Sequence, residues 1–253
     1  CWGAGIAAQR YDFGYSKGNF PDDVENAALV IVWGRNPAET NLHLFKRLKT
    51  VKKKGGRVVV IDPVRTLTAR NFDDYLRVRP DTDTAIALTM AKVIVEEDLF
   101  DRAFTSNHVL GFNRFKAYLS TLSHEQLEAV TGIHLEQIRS LAREYALAKQ
   151  ATIYIGWGIQ RYRYGGNTVR AIDALGAITG KIGKQGCSVN YASKGISPYI
   201  HEVQKNSLTR VKNLRPFITG KLGKFLEEAD EPVIKAAFVS GANPLNQSPD
   251  LVR

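Results

Sequence analysis

Three short apolar runs constrain the fold of this chain more than any other feature: ALVIVW at 28–33, RVVVI at 57–61 and ATIYI at 151–155. A strand with one wet face would alternate apolar and polar residues. An almost unbroken run means a strand covered on both faces, as in parallel sheets sandwiched between helices. Helix-patterned segments separate the runs. After the first, Leu42, Phe45 and Leu48 repeat on one face, and the segment ends in Lys-rich turns before Gly55-Gly56. Cations there sit at the negative end of a helix dipole. Asp62-Pro63 stops the second run, and DYLRV at 74–78 predicts a third strand. Asp81-Thr82-Asp83 then caps a predicted helix running to residue 97. Residues 99–149 read as helical hairpins, clearest where Leu135, Ile138, Leu141, Ala142 and Tyr145 recur at three to four. A helix over 167–179 follows the 151–155 strand, with Val169, Ile172, Leu175 and Ile178 on one face. This alternation predicts an α/β fold: a Rossmann-like parallel sheet with flanking helices.

Beyond Gly186 the pattern weakens, and 188–232 is punctuated by Gly, Pro and Ser. A last strand is expected at 234–239, before Gly241-Ala242-Asn243-Pro244. The reading is a Rossmann-like domain over 1–195 and an incomplete second α/β domain over 196–253. No repeat of fixed period is present, but the strand–Gly-x-Asn-Pro units at 34–37 and 241–244 echo one another.

The chain has 253 residues, 44% of them hydrophobic and 24% charged, enough to bury an ordinary core. No stretch approaches the length of an apolar membrane span. The chain starts with Cys1, contains Met90 as its one Met, and shows no signal peptide. It reads as a piece of a larger protein, expected in the cytoplasm unless a targeting signal lies upstream. The net charge of +10 calls for a polyanionic partner or a phosphate-rich ligand. Without a zinc-finger, homeodomain or RNP-like pattern, nucleic acid is not the expected partner. The basic run at Lys46, Arg47, Lys49, Lys52, Lys53 and Lys54 reads as a solvated helix face. Two cysteines, Cys1 and Cys187, exclude a disulfide framework and any cluster needing four cysteines from this chain. The five His have no metal-ligand spacing.

In a doubly wound sheet ligands sit beyond the carboxyl ends of the strands. After the first strand comes Gly34-Arg35-Asn36-Pro37-Ala38-Glu39-Thr40-Asn41. Gly34 lets a ligand approach the backbone, Asn36-Pro37 fixes a turn, and the following helix points free N–H groups at any anion. After the second strand, Asp62 is placed to accept from a ribose hydroxyl or a purine, and Arg65 and Thr66 follow. The dinucleotide fingerprint Gly-x-Gly-x-x-Gly is absent: the first loop holds one Gly and a Pro, and Gly156-Trp157-Gly158 lacks the third glycine. On these residues alone, a capped turn and a Rossmann-like nucleotide-binding module remain open.

Several phrases, read in order, resemble the molybdopterin-dependent oxidoreductases of the dimethyl sulfoxide reductase and formate dehydrogenase type: WGRNPAETN at 33–41, VVVIDPVRTLTA at 58–69, RPDTDTAIALTMAKVIVEEDLFD at 79–101, GWGIQRYRYGGNTVRAIDALGAITGKIGKQG at 156–186 and GANPLNQSPD at 241–250. The resemblance implies a bis-molybdopterin guanine dinucleotide cofactor carrying Mo or W, for two-electron or oxygen-atom transfer on a small-molecule substrate. It implies that Gly34, Asn36, Thr40, Asp62, Arg65 and Asp83 meet the phosphates and guanine of one tail. Gly156, Gly158 and Gln160 would line the central cavity or the second cofactor half, and Gly241, Asn243, Gln247 and Asp250 would begin the second nucleotide site. A [4Fe-4S] cluster is expected in an N-terminal part outside this chain, and an iron–sulfur subunit as electron-transfer partner. A non-redox hydratase on the same scaffold is the alternative reading.

The resemblance also implies a protein ligand to the metal about thirty residues before the Gly-x-Asn-Pro turn. Cys1 stands 33 residues before Gly34 and is followed by small residues; it is the expected metal-ligating and catalytic residue, a soft donor suited to Mo or W. Cys187 reads as a packed thiol. Formate dehydrogenases place His beside the ligand and an Arg in a VRG-like phrase. This chain has Trp2 and Ser193-Lys194-Gly195 there, which puts formate oxidation in doubt.

Overall fold

A computed structural model describes residues 2–16, 18–72, 74–192 and 222–247. The chain divides into two compact units, Cys1–Gly195 and Ile196–Arg253.

The first unit is built on five parallel strands: β1 Leu29–Trp33, β2 Arg57–Asp62, β3 Asp74–Arg77, β4 Ala151–Ile155 and β5 Ser188–Asn190. Their order is β3-β2-β1-β4-β5. Alternate side chains of the apolar runs serve two cores. Leu29, Ile31 and Trp33 of β1, with Val59, Ile61, Ile153 and Ile155, pack into a large cluster on one face. That face is covered by α1 Gly3–Phe13, α5 Asp83–Glu96, α9 Leu135–Leu147 and α10 Gly165–Ile178. Val30 and Val32, with Val58, Val60 and Tyr154, face the other way into a smaller cluster under α3 Leu42–Lys53. Burying apolar area on both faces stabilises the sheet at about 25 cal/mol per Å².

Between the strands lie the one-turn helices α2 Pro37–Thr40 and α4 Leu67–Arg70, and the helices α6 Arg102–His108, α7 Phe112–Ser120 and α8 His124–Thr131. The expected helical stretch over 99–149 is thus four separate helices, α6 to α9. The helix after β1 buries a face shifted from the expected one: Leu48 is buried and Phe45 packs against the core as expected, but Leu42 is exposed, and Leu44 and Val51 complete the buried face. Leu42 stands at helical spacing from Phe45 and Leu44 from Leu48, so periodicity alone does not say which of them is covered.

In the second unit the described residues form α11 Leu222–Glu228 and α12 Pro244–Gln247. The strand expected at 234–239 is absent: that stretch is irregular and almost wholly exposed. A strand needs a ladder partner and a covered face, and the described part of this unit offers it no strand to pair with. Cys1, Ser193-Lys194-Gly195, His201 and Asp250 lie outside the described residues.

Candidate functional site

The order in which strands are added reverses at β1. From β1 the chain steps outward to β2 and β3, then crosses back to β4 and β5 on the other side. The loops leaving β1 and β4 therefore diverge, and open-sheet ligands bind in the crevice at such a switch point. Here those loops begin with Gly34 and Gly156.

Both glycines are required by their surroundings. Gly156 N donates to Trp33 O at 2.7 Å, and Gly34 N donates to Ile61 O at 2.7 Å. A Cβ on Gly156 would lie 1.6 Å from Gly34 O. Gly34 has φ +58, and a Cβ there would press on Ile159. The floor of the crevice is therefore bare backbone. Gly158 differs, since nothing lies within 4 Å of where its Cβ would be.

The expectation that the loops after β1 and β2 share one edge of a parallel sheet holds. Asn36 Oδ1 accepts from Thr68 Oγ1 at 2.7 Å and from Thr68 N at 3.2 Å, while Thr68 Oγ1 accepts from Ala38 N at 3.0 Å. Thr68, which the sequence reading passed over, is the bolt between the loops. Asn36 O accepts from Thr40 Oγ1 at 2.9 Å, so the Thr40 hydroxyl closes its own turn. Asn36 and Thr40 thus have structural duties at the edge. Arg65 is exposed.

Two buried carboxyl groups flank this edge. Asp62, the last residue of β2, accepts from Val64 N at 2.9 Å, and burial pushes its pKa up. Asp83 accepts from the Trp33 indole Nε1 at 2.7 Å. Burial pushes its pKa up, the indole draws it back, and Asp62 adds repulsion. The carboxylate of Asp83 points inward toward the end of β1, away from bulk solvent. Its expected capping role is corrected: Thr82 is the N-cap of α5 and Asp83 the first helical residue. The Thr82 hydroxyl is spent on Arg79 O at 2.7 Å, so Asp83 serves the helix as a first-turn acid against the dipole.

Three helix starts meet at the same edge. The first turns of α1 and α10 touch, a Cβ on Gly166 lying 3.3 Å from Ala4 O. Those of α10 and α5 are joined by the Thr84 and Thr168 hydroxyls, 2.8 Å apart. The N-cap residues Trp2, Thr82 and Tyr164 supply no side-chain cap. Tyr164 does so with φ +62, a left-handed conformation rare for a bulky residue. Gln160 Oε1 accepts from Gly5 N at 2.8 Å and so fastens the first turn of α1 to the loop after β4. Trp2, the residue beside Cys1, packs edge-on against Trp157 of that loop at 5.0 Å. Trp157 Nε1 in turn donates to Tyr191 O at 3.3 Å.

Arg35, in the loop after β1, carries no local sequence signal of a role, and its importance comes from its partner in β4. Its guanidinium lies over the Tyr154 ring at 5.7 Å, and burial lowers its pKa. No carboxylate pairs with it among the described residues. An arginine between the two loops and without a carboxylate suits an anionic ligand. No three His, Cys, Asp or Glu side chains gather as a metal site among the described residues. A cavity of about 360 Å³ between β3 and α9, lined by Arg57, Asp74 and Glu136 among others, lies elsewhere.

In the second unit Gly241, Asn243 and Gln247 repeat the local geometry of the first turn. Gly241 has φ +60 against +58 at Gly34. Pro244 opens α12 as Pro37 opens α2. Asn243 O accepts from Gln247 N at 3.0 Å, as Asn36 O accepts from Thr40 N at 3.1 Å. The echo in sequence is an echo in backbone.

The family model described as molybdopterin oxidoreductase matches residues 5–253. YyaE, a probable oxidoreductase of Bacillus subtilis (strain 168), is 39% identical over 99% of this chain and 37% of its own length. Formate dehydrogenase H of Escherichia coli (strain K12) is 28% identical over 92% of this chain and 36% of its own. Among solved structures, acetylene hydratase from Pelobacter acetylenicus matches with a TM-score of 0.67 at 29% identity, over 74% of this chain and 25% of that one. The chain thus spans little more than a third of these two curated relatives. It belongs to the molybdopterin oxidoreductase family.

Proposed function

We propose that this chain is the cofactor-gripping part of a molybdenum- or tungsten-dependent oxidoreductase, and that the carboxyl edge of its sheet takes one arm of a bis-molybdopterin guanine dinucleotide. The observation that carries the reading is the switch-point crevice: a floor of Gly34 and Gly156, walled by the starts of α1, α5 and α10, whose own N-cap residues supply no side-chain cap. Residues and group fit. Pyrophosphate wants backbone N–H groups, helix N-termini and cations, and Arg35 and Arg65 are the cations at hand. Asp62 has one carboxylate oxygen occupied by Val64 N, leaving the other to accept from guanine or ribose. Asp83, held by Trp33, orders the wall behind it. Gly158 keeps the mouth open, and Gln160 holds the start of α1. When bound, the metal centre supplies two-electron chemistry, with or without oxygen-atom transfer. Cys1 is proposed as its protein ligand.

We infer that Gly241, Asn243, Gln247 and Asp250 begin the second nucleotide site, in an incomplete second α/β domain over 196–253. The matching turn geometry at Gly34 and Gly241 supports this. The [4Fe-4S] cluster, the iron–sulfur partner and the small-molecule substrate are carried over from the family. A second reading, hydration without net redox change, is favoured by the likeness to acetylene hydratase, and Trp2 in place of His argues against formate oxidation. The test is to denature the purified full-length protein and measure metal, pterin and guanine nucleotide. Mo or W with two guanine nucleotides per metal is expected. A protein that carries neither metal nor pterin, yet binds a nicotinamide dinucleotide, would end the proposal.

A further inference from the structure

The contact between α1 and α10 holds a polar cluster that the proposed cofactor site does not use. Asp173 of α10 is 1% exposed, and its Oδ1 accepts from Gln9 Nε2 at 3.0 Å. The orientation of Gln9 follows from Val189 O, an acceptor only, which takes a hydrogen bond from its Nε2 at 3.3 Å; the single Ser16 hydroxyl proton is shared between Ala192 O at 2.8 Å and Gln9 Oε1 at 2.9 Å. Asp12 of α1 accepts on Oδ1 from Arg170 Nε at 2.8 Å. The second oxygen of each acid, Asp12 Oδ2 and Asp173 Oδ2, is buried and meets no donor. The two acids are set side by side by crossed bonds between the facing helices, since Gln9, one turn before Asp12, holds Asp173, and Arg170, one turn before Asp173, holds Asp12; the charge on Asp12 in turn raises Asp173. Two ionised carboxylates are acceptors only, so nothing could join these oxygens unless one carries a proton.

We propose that Asp12 and Asp173 share a single proton, so that the α1–α10 contact is a proton-dependent clamp on the helix whose first turn reaches the carboxyl edge of the sheet. Asp173 carries the proton. It is the more deeply buried, and burial pushes it well above the usual carboxylate range. Asp12 is raised less decisively because Arg170 favours its ionised form. The charged or titratable groups facing the pair are Arg170, stacked on Tyr11 at 4.4 Å, and Tyr145 from α9; β5 contributes the Val189 carbonyl. Both acids have folded pKa values above their unfolded ones. Their contribution to stability is therefore complete below the ordinary value of 3.8 and is lost as pH rises through the folded values. As positioning residues they act through α1, which buries only a narrow face.

The test uses the full-length protein and the variant Asp173→Asn. The amide offers its oxygen to Gln9 and its N–H to Asp12, copying the protonated acid without a titrating proton. Wild type is expected to show an infrared carbonyl band of a protonated carboxyl at neutral pH, and the variant to lack it. The contribution of this pair to the wild-type melting temperature should fall as pH rises above about 4, and the difference between wild type and Asp173→Asn should show that component of the slope. In Asp12→Asn the amide donates to Asp173, which should then ionise, so the band should vanish. If wild type shows no protonated carboxyl at neutral pH, or if Asp173→Asn keeps the band, the proposal is overturned. A wild-type spectrum without the band overturns the proposal even if a variant fails to fold, and the loss of the band in Asp173→Asn separates this pair from the buried Asp62 and Asp83.

Discussion

Trp33 shows how one side chain can join the core to the site. Its ring is buried at the end of β1, and its indole N–H reaches the buried carboxylate of Asp83. A buried carboxylate deprived of a donor is costly, by about 1–3 kcal/mol per lost hydrogen bond. Trp33→Phe keeps an aromatic ring and removes that donor. Denaturant unfolding should show a loss of about 1–3 kcal/mol, and the loss should be larger at neutral than at acid pH. The sign follows from burial, which already raises the Asp83 pKa: protonated Asp83 needs the donor less, and ionised Asp83 needs it more. A loss that is the same at both pH values would show that the bond matters only as packing. Asp62 carries the complementary prediction. Asp62→Asn should weaken binding of a guanosine nucleotide to cofactor-free protein by about tenfold, or ~1.4 kcal/mol, because the amide loses one of two acceptors. Titration calorimetry giving equal affinities would remove Asp62 from the guanine site.

At the scale of elements, the crevice depends on two glycines with different duties. Gly156→Val would force β1 and β4 apart, because its Cβ would overlap Gly34 O; little folded protein is expected. Gly158→Val meets open space. It should leave the circular dichroism spectrum and the melting temperature of the cofactor-free protein unchanged while lowering cofactor content, and unchanged cofactor content would show that the mouth of the crevice lies elsewhere. Such distinctions were only partly legible in the sequence. The strands β1, β2 and β4 were, because burial on both faces writes itself as an apolar run. Strand β5 was not: it contains Ser188 and Asn190, buried because they bond to each other and to Thr152 rather than because they are apolar. The expected strand at 234–239 had the apolar pattern but has no pairing partner among the described residues. The two loop sequences at the sheet edge were legible as motifs. The roles of Thr68, Trp33 and Arg35 were not, because each depends on a partner 30 or more residues away.

At the scale of the whole molecule, a net charge of +10 invites the idea that bulk positive potential holds an anionic cofactor. The fold argues for local geometry instead. Much of the excess lies on α3, which descends from the carboxyl edge toward the amino edge of the sheet. At 1.5 Å per residue, Lys49 and Lys53 sit roughly 10 and 16 Å below its start. Both are exposed, and at physiological ionic strength exposed charges are screened over about 8 Å. Lys53 lies in the last turn of its own helix, where it offsets the dipole. Arg35, by contrast, is partly buried at the edge itself, where screening is weak. The double variant Lys49→Gln, Lys53→Gln should therefore retain full metal and guanine content in the full-length protein, whereas Arg35→Gln should lose most of it despite the smaller change in charge. Cofactor analysis at two salt concentrations distinguishes the alternatives. If the lysine variant loses cofactor, and does so more at low salt, the long-range field is the gripping agent and the crevice only its shape.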